Sequence, residues 1–144
     1  MDWKTEAVYK LKQYKAKRQS LEVIPIEVAQ VESALDSIRS ARTDCARVKG
    51  STNYEDRSLN CIAKKSELLR SLEYVKIWVD AVDKALAVLD SEERRLLDCF
   101  YMSNEKGAAQ RLAAELFVDA KTVYARKDKA LRKFTIALYG SIET

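Results

Sequence analysis

Apolar residues recur along this chain at steps of three, four and seven, the spacing that keeps one face of an α-helix apolar. Ala7, Leu11, Tyr14 and Leu21 follow it and predict a first helix from about Trp3 to Val23. The Ile24-Pro25 step is read as its end, because proline disfavours helical geometry in the residue before it. Proline is welcome in a first turn, so Pro25 is expected to open a second helix. There Val28, Val31, Leu35, Ile38 and Cys45 form one stripe, interrupted by Arg42. Alternation of three and four is the pattern of a coiled coil.

Gly50-Ser51-Thr52-Asn53 reads as a turn, and Thr52 with Glu55 three residues later has the form of a capping box for a third helix. Ile62, Leu69, Leu72, Val75, Val79, Val82, Leu86 and Leu89 then hold register as far as Asp90. Some 35 residues at about 1.5 Å each would span about 50 Å. A stripe of that extent needs either the first two helices folded along it or a second copy of the chain. Residues 1–89 are therefore expected to be long antiparallel helices that oligomerise, and a homodimer is expected.

A second unit, residues 90–144, opens at Asp90-Ser91-Glu92-Glu93, where a capping residue precedes two acids that suit a helix N-terminus. A helix from about Ser91 to Met102 is expected, then a loop over Ser103–Gly107 and a short helix from Ala108 to Phe117. Val118-Asp119-Ala120 makes a tight turn, and Asp119 caps a last helix running to about Tyr139, which Gly140 stops. In that helix Val123, Ala130, Leu131, Phe134, Ala137 and Leu138 share one stripe. Lys121, Ala125, Asp128, Lys129 and Arg132 face outward, and Lys127 falls inside the apolar stripe, where it must snorkel out or meet a partner.

Composition agrees with an all-α chain: 144 residues hold three glycines and one proline, 47% are apolar and 33% charged. Histidine is absent, which removes the commonest metal ligand and the usual general base near neutral pH. Cys45, Cys61 and Cys99 are widely separated and form no paired metal-binding motif. With no glycine-rich phosphate loop and no nucleophile beside a base, neither an enzyme, a metal site nor a cofactor is expected. The first residues lack the order of a signal peptide and no apolar run reaches the 18 residues of a membrane span, so a cytoplasmic protein without membrane contact is expected.

Net charge is +4, split as +2 over 1–90 (16 basic, 14 acidic) and +2 over 91–144 (10 basic, 8 acidic), so overall charge does not single out a partner. The stretch from Lys121 to Lys133 is different, with six basic residues and one acid. Such a patch can neutralise phosphates or be an ordinary solvated face. Its position decides: a helix-turn-helix needs a small residue where the helices touch, an apolar residue in the turn and an apolar anchor early in the second helix. Ala113, Val118 and Val123 meet those needs. The basic stretch from Lys10 to Arg18 reads as a polar outer face, and Trp3, Tyr74 and Trp78 as packing residues.

Leu89-Asp90-Ser91-Glu92-Glu93-Arg94-Arg95-Leu96-Leu97, Leu112-Ala113-Ala114-Glu115-Leu116, Thr122-Val123 and Ala130-Leu131-Arg132-Lys133-Phe134 together resemble region 4 of bacterial sigma factors. With the long helical N-terminal part, the chain resembles the small phage regulators of the ArpU and RinA type. The resemblance implies a sequence-specific transcription regulator of phage genes, often late ones, acting on double-stranded DNA. It places Lys121, Tyr124 and Ala125 in the major groove and Arg111 and Lys129 on phosphates, with Thr122 also among the DNA-binding residues. Lysine suits a guanine edge and the Tyr124 ring a thymine methyl; Arg126, Arg132 and Lys133 suit phosphate contacts that set register. Two positions depart from the family: Phe117 stands where glycine is usual, and Asp119 where serine or threonine is. The alternative is a helical scaffold or an RNA-polymerase-binding adaptor that never touches DNA.

Overall fold

The computed structural model describes residues 2–44 and 51–141. Among them every regular element is helical, without strands: α1 (Trp3–Asp44), α2 (Ser51–Leu86), α3 (Ser91–Leu97), a π-helical turn (Asp98–Met102), α4 (Ala108–Leu116) and α5 (Ala120–Tyr139). No described helix is long and apolar enough to cross a membrane.

The first expectation to change is the break at Pro25, which lies inside α1. Proline removes one backbone hydrogen bond and normally bends or ends a helix. Here its ring is on the exposed side, and buried positions lie on either side of it, Ala7, Leu11 and Tyr14 before and Val28, Val31, Leu35 and Ile38 after, with Ala7, Tyr14, Val28 and Leu35 spaced by multiples of seven. Burial on both sides of the proline outweighs one lost bond. α2 likewise begins at Ser51, so Thr52 is inside the helix rather than its cap, while the expected turn residue Gly50 and the stripe residue Cys45 lie outside the described residues. α2 stops at Leu86, four residues earlier than expected, and short backbone bonds such as Leu89 N–H to Leu86 O at 3.1 Å lead the chain to α3. Its stripe is buried only in part: Val75, Val79, Val82 and Leu86 are covered, whereas Ile62 and Leu69 are exposed.

The chain divides into two compact units, Arg18–Ile77 and Met1–Lys17 with Trp78–Thr144. The start of α1 thus groups with the C-terminal helices. In that unit the Tyr14 hydroxyl donates to the Asp83 carboxylate, the Trp3 and Tyr139 rings lie 4.8 Å apart, and Lys15 Nζ donates to Ser103 Oγ at 2.6 Å. Leu11, Leu96, Leu97, Leu112, Val82, Val123 and Phe134 are completely or almost completely buried. Truncating Phe134 to alanine in such a setting costs about 3–5 kcal/mol. In the other unit, Val28, Val31, Leu35, Ile38 and Val75 are buried, and Lys65 pairs with Glu32 at 3.0 Å.

Candidate nucleic-acid interface

α3 starts as its sequence requires: Asp90 accepts a hydrogen bond from Glu93 N–H at 2.8 Å, and the Glu93 side chain accepts one from Asp90 N–H at 3.2 Å, a reciprocal capping box. The helix expected to reach Met102 changes pitch at Asp98 instead. Ser103 N–H reaches the Asp98 carbonyl at 2.7 Å, a bond spanning five residues, and the widened turn carries Phe100 and Tyr101. Single π turns of this kind recur at functional sites.

α4 ends in a left-handed turn. Val118 N–H bonds to the Ala113 carbonyl at 3.0 Å, and Phe117 between them takes φ 58°, ψ 41°. This is the closing pattern that usually falls to glycine, because a Cβ crowds the backbone there. Phe117 accepts that strain although its ring is 94% exposed, so no burial offsets it. Thus the bulky residue leaves the turn's conformation intact. Ala113 and Val118 pack on a buried cluster of Leu96, Cys99, Ala108, Leu112 and Val123.

Asp119 opens α5 in an extended conformation, and its carboxylate accepts from Thr122 N–H at 2.9 Å. Those hydrogen bonds to Thr122 hold the carboxyl below its ordinary range. The acid is therefore engaged with the helix terminus. α5 then buries Val123, Ala130, Leu131, Phe134 and Thr135; Thr135 is a position the stripe did not include, and Ala137, which it did include, is exposed. Gly140 ends the helix with φ 78°.

The basic residues separate into two sets. Lys121, Lys129 and Arg132 are exposed, at spacings that keep them on one side of α5 with Ala125, and none has an ion-pair partner among the described residues. Tyr124 is 46% exposed beside them, and Thr122 is half-buried with its backbone committed to the Asp119 cap. The other set is engaged within the chain. Arg126 Nη1 donates to Glu92 at 2.7 Å, Lys133 Nζ lies 3.0 Å from Glu93, and Arg111 pairs with Glu105. Three of the expected phosphate ligands are thus tied to acids of α3 or of the loop before α4, a restraint that residue type alone does not reveal.

Lys127 does not snorkel. Its side chain is 15% exposed, and Nζ lies 5.1 Å from the Phe100 ring centroid, 5.3 Å from Tyr124 and 5.7 Å from Tyr101. Asp128 approaches at 3.4 Å. Three aromatic faces around one ammonium stabilise a cation that has left bulk water. The sequence signal, an aromatic pair at 100–101 and an aromatic three residues before a lysine, acquires meaning only when the π turn meets α5.

No protein-family model, characterised protein or solved structure matches the chain.

Proposed function

We propose that the chain is a sequence-specific DNA-binding transcription regulator. In this reading α4, the Phe117–Asp119 turn and α5 form a helix-turn-helix, and α1 and α2 form a long hairpin that brings two copies together. The observation that carries it is the exposed side of α5, where Lys121, Lys129 and Arg132, three cations without an ion-pair partner among the described residues, flank the small Ala125 and the half-exposed Tyr124. A small residue at the centre lets a helix approach base edges, and flanking cations meet the phosphates on either side. The resemblance to sigma region 4 and to the ArpU and RinA type of regulator supplies the target class, phage genes. Paired half-sites follow from a homodimer, since one helix reads only a few base pairs.

Selection of bound duplexes from a random pool, followed by anisotropy titrations at several salt concentrations, tests the reading. Lys121→Ala should relax base preference at one position, whereas Arg132→Ala should weaken all duplexes alike and reduce the salt slope by about one. Absence of binding to any duplex at low salt overturns the proposal. One observation favours the adaptor reading instead: the exposed Phe117 ring on a strained turn suits an apolar socket on a protein such as RNA polymerase. Polymerase capture that survives loss of Lys121, Lys129 and Arg132 but not of Phe117 would select that alternative.

A further inference from the structure

We infer that Lys127 is a positioning residue for base readout: held among Phe100, Tyr101 and Tyr124, it fixes the Tyr124 ring at the DNA-facing side of α5 before DNA arrives. The inference rests on the DNA-binding reading. Tyr124 and Lys127 are one turn apart on α5, and residues at that separation are neighbours on a helix surface. Phe100 supports them from the π turn, its ring 5.6 Å from that of Tyr124 and inclined by 56°. The ammonium touches all three rings, so rotation of Tyr124 away from this arrangement would remove an aromatic face from a cation that is largely withdrawn from water.

The arrangement also explains why a lysine stands in an apolar stripe. A methionine or leucine would fill the space but would not be held by the negative faces of the rings, and so would not select one orientation of Tyr124. Lys127 itself is too covered to act as a phosphate ligand, in contrast to Lys129 two residues on, which is exposed. Its effect on DNA is therefore expected through Tyr124. A fixed side chain gives up less conformational freedom on contact with a base, which sharpens discrimination more than it raises general affinity.

The test uses the full chain, the duplex selected by the wild type and a version with a thymine replaced at the position that Tyr124→Ala ceases to discriminate. Lys127→Met should lower discrimination at that position by about threefold to tenfold, the scale of one lost apolar base contact, with the salt slope unchanged. Lys127→Arg should restore it, since a guanidinium also stacks on aromatic faces. Lys127→Met added to Tyr124→Ala should cost nothing further. In the DNA-free protein, the Lys127 ε-methylene proton resonances should show the upfield displacement expected above aromatic rings. Unshifted resonances, unchanged discrimination in a folded Lys127→Met protein, additive effects with Tyr124→Ala, or a salt slope reduced by about one would each overturn the positioning role. If the wild type binds no duplex, the DNA-binding function itself falls; if it binds and only the Lys127 variants behave otherwise, the positioning role alone falls.

Discussion

Arg126 Nη1 lies 2.7 Å from Oε1 of Glu92, tying the second turn of α5 to the first turn of α3. Both side chains are about two-fifths exposed, 43% each, so the pair is screened by water and by salt. Exposed pairs of this kind contribute only about 0.2–1 kcal/mol. Their consequence is geometric: a cation that the sequence offers to phosphate is held toward an acid of its own fold.

Replacing Glu92 by glutamine should therefore release Arg126. The expected outcome is tighter binding to unrelated duplexes at low salt and a salt slope steeper by about 0.9 for each phosphate newly contacted. Folding stability should fall by about 1 kcal/mol or less, from loss of the pair and of an acid in the first turn of α3. Anisotropy titrations and thermal melts of E92Q and of E92Q with R126A measure both. An unchanged slope in E92Q would place Arg126 away from the phosphate backbone.

Phe117 should be less stable in its place than glycine. A non-glycine residue in the left-handed region is strained, and an exposed ring gains no burial in return. Phe117→Gly is expected to raise stability by about 0.5–1 kcal/mol even after the added freedom of the unfolded chain. Phe117→Ala keeps the Cβ and should give little of this gain. Chemical denaturation of the two variants separates backbone strain from side-chain effects, and a destabilised glycine variant would mean that the ring is supported after all.

Asp119 makes the start of α5 sensitive to acid. Its carboxyl is held below the ordinary aspartate value of 3.8, mainly by hydrogen bonding to Thr122, so the folded state favours the charged form. This contribution is complete above the unfolded value and disappears as pH falls through the lower folded value. Wild type should exceed Asp119→Ala in melting temperature at neutral pH, and the difference should narrow below about pH 4. Asp119→Asn, which still caps a helix, should retain part of the advantage without that pH dependence. A wild-type advantage that persists undiminished at pH 2 would exclude a charged cap.

Cys99 should be slow to react. It is 4% exposed in the cluster with Leu112 and Val123, and burial raises its thiol pKa, with Glu105 adding to the effect. Cys61 is half-buried and offers the contrast. Labelling resolved by peptide mass spectrometry should modify Cys61 faster by about tenfold or more, since burial both shields Cys99 and raises its thiol pKa. Equal rates would indicate that the α3–α4–α5 junction opens readily in the native state.

Several features of the candidate interface were legible in the residues because they depend on neighbours in sequence. The Asp119 cap needs an acceptor three residues before the bonded amide, Gly140 meets the demand for positive φ at a helix end, and Ala113, Val118 and Val123, close in sequence, meet in one apolar cluster. The break expected at Pro25 does not form, because a local preference of one residue is outweighed by apolar positions buried before and after it on the same helix. The pitch change at Asp98 left no comparable local signal, since Leu96, Leu97, Cys99 and Phe100 fit an α-helix as readily as a π turn.

The sequence by itself determined a helical chain and the start and stop of α5, because helical periodicity and capping act over a few residues. Tertiary structure alone decided which cations stay unpaired. Glu92 meets Arg126 across 34 positions and Glu93 meets Lys133 across 40, and the rings at 100 and 101 reach Lys127 only when α5 passes the π turn. A side chain's charge is written in the sequence, but its availability depends on what the fold places within a few ångströms of it.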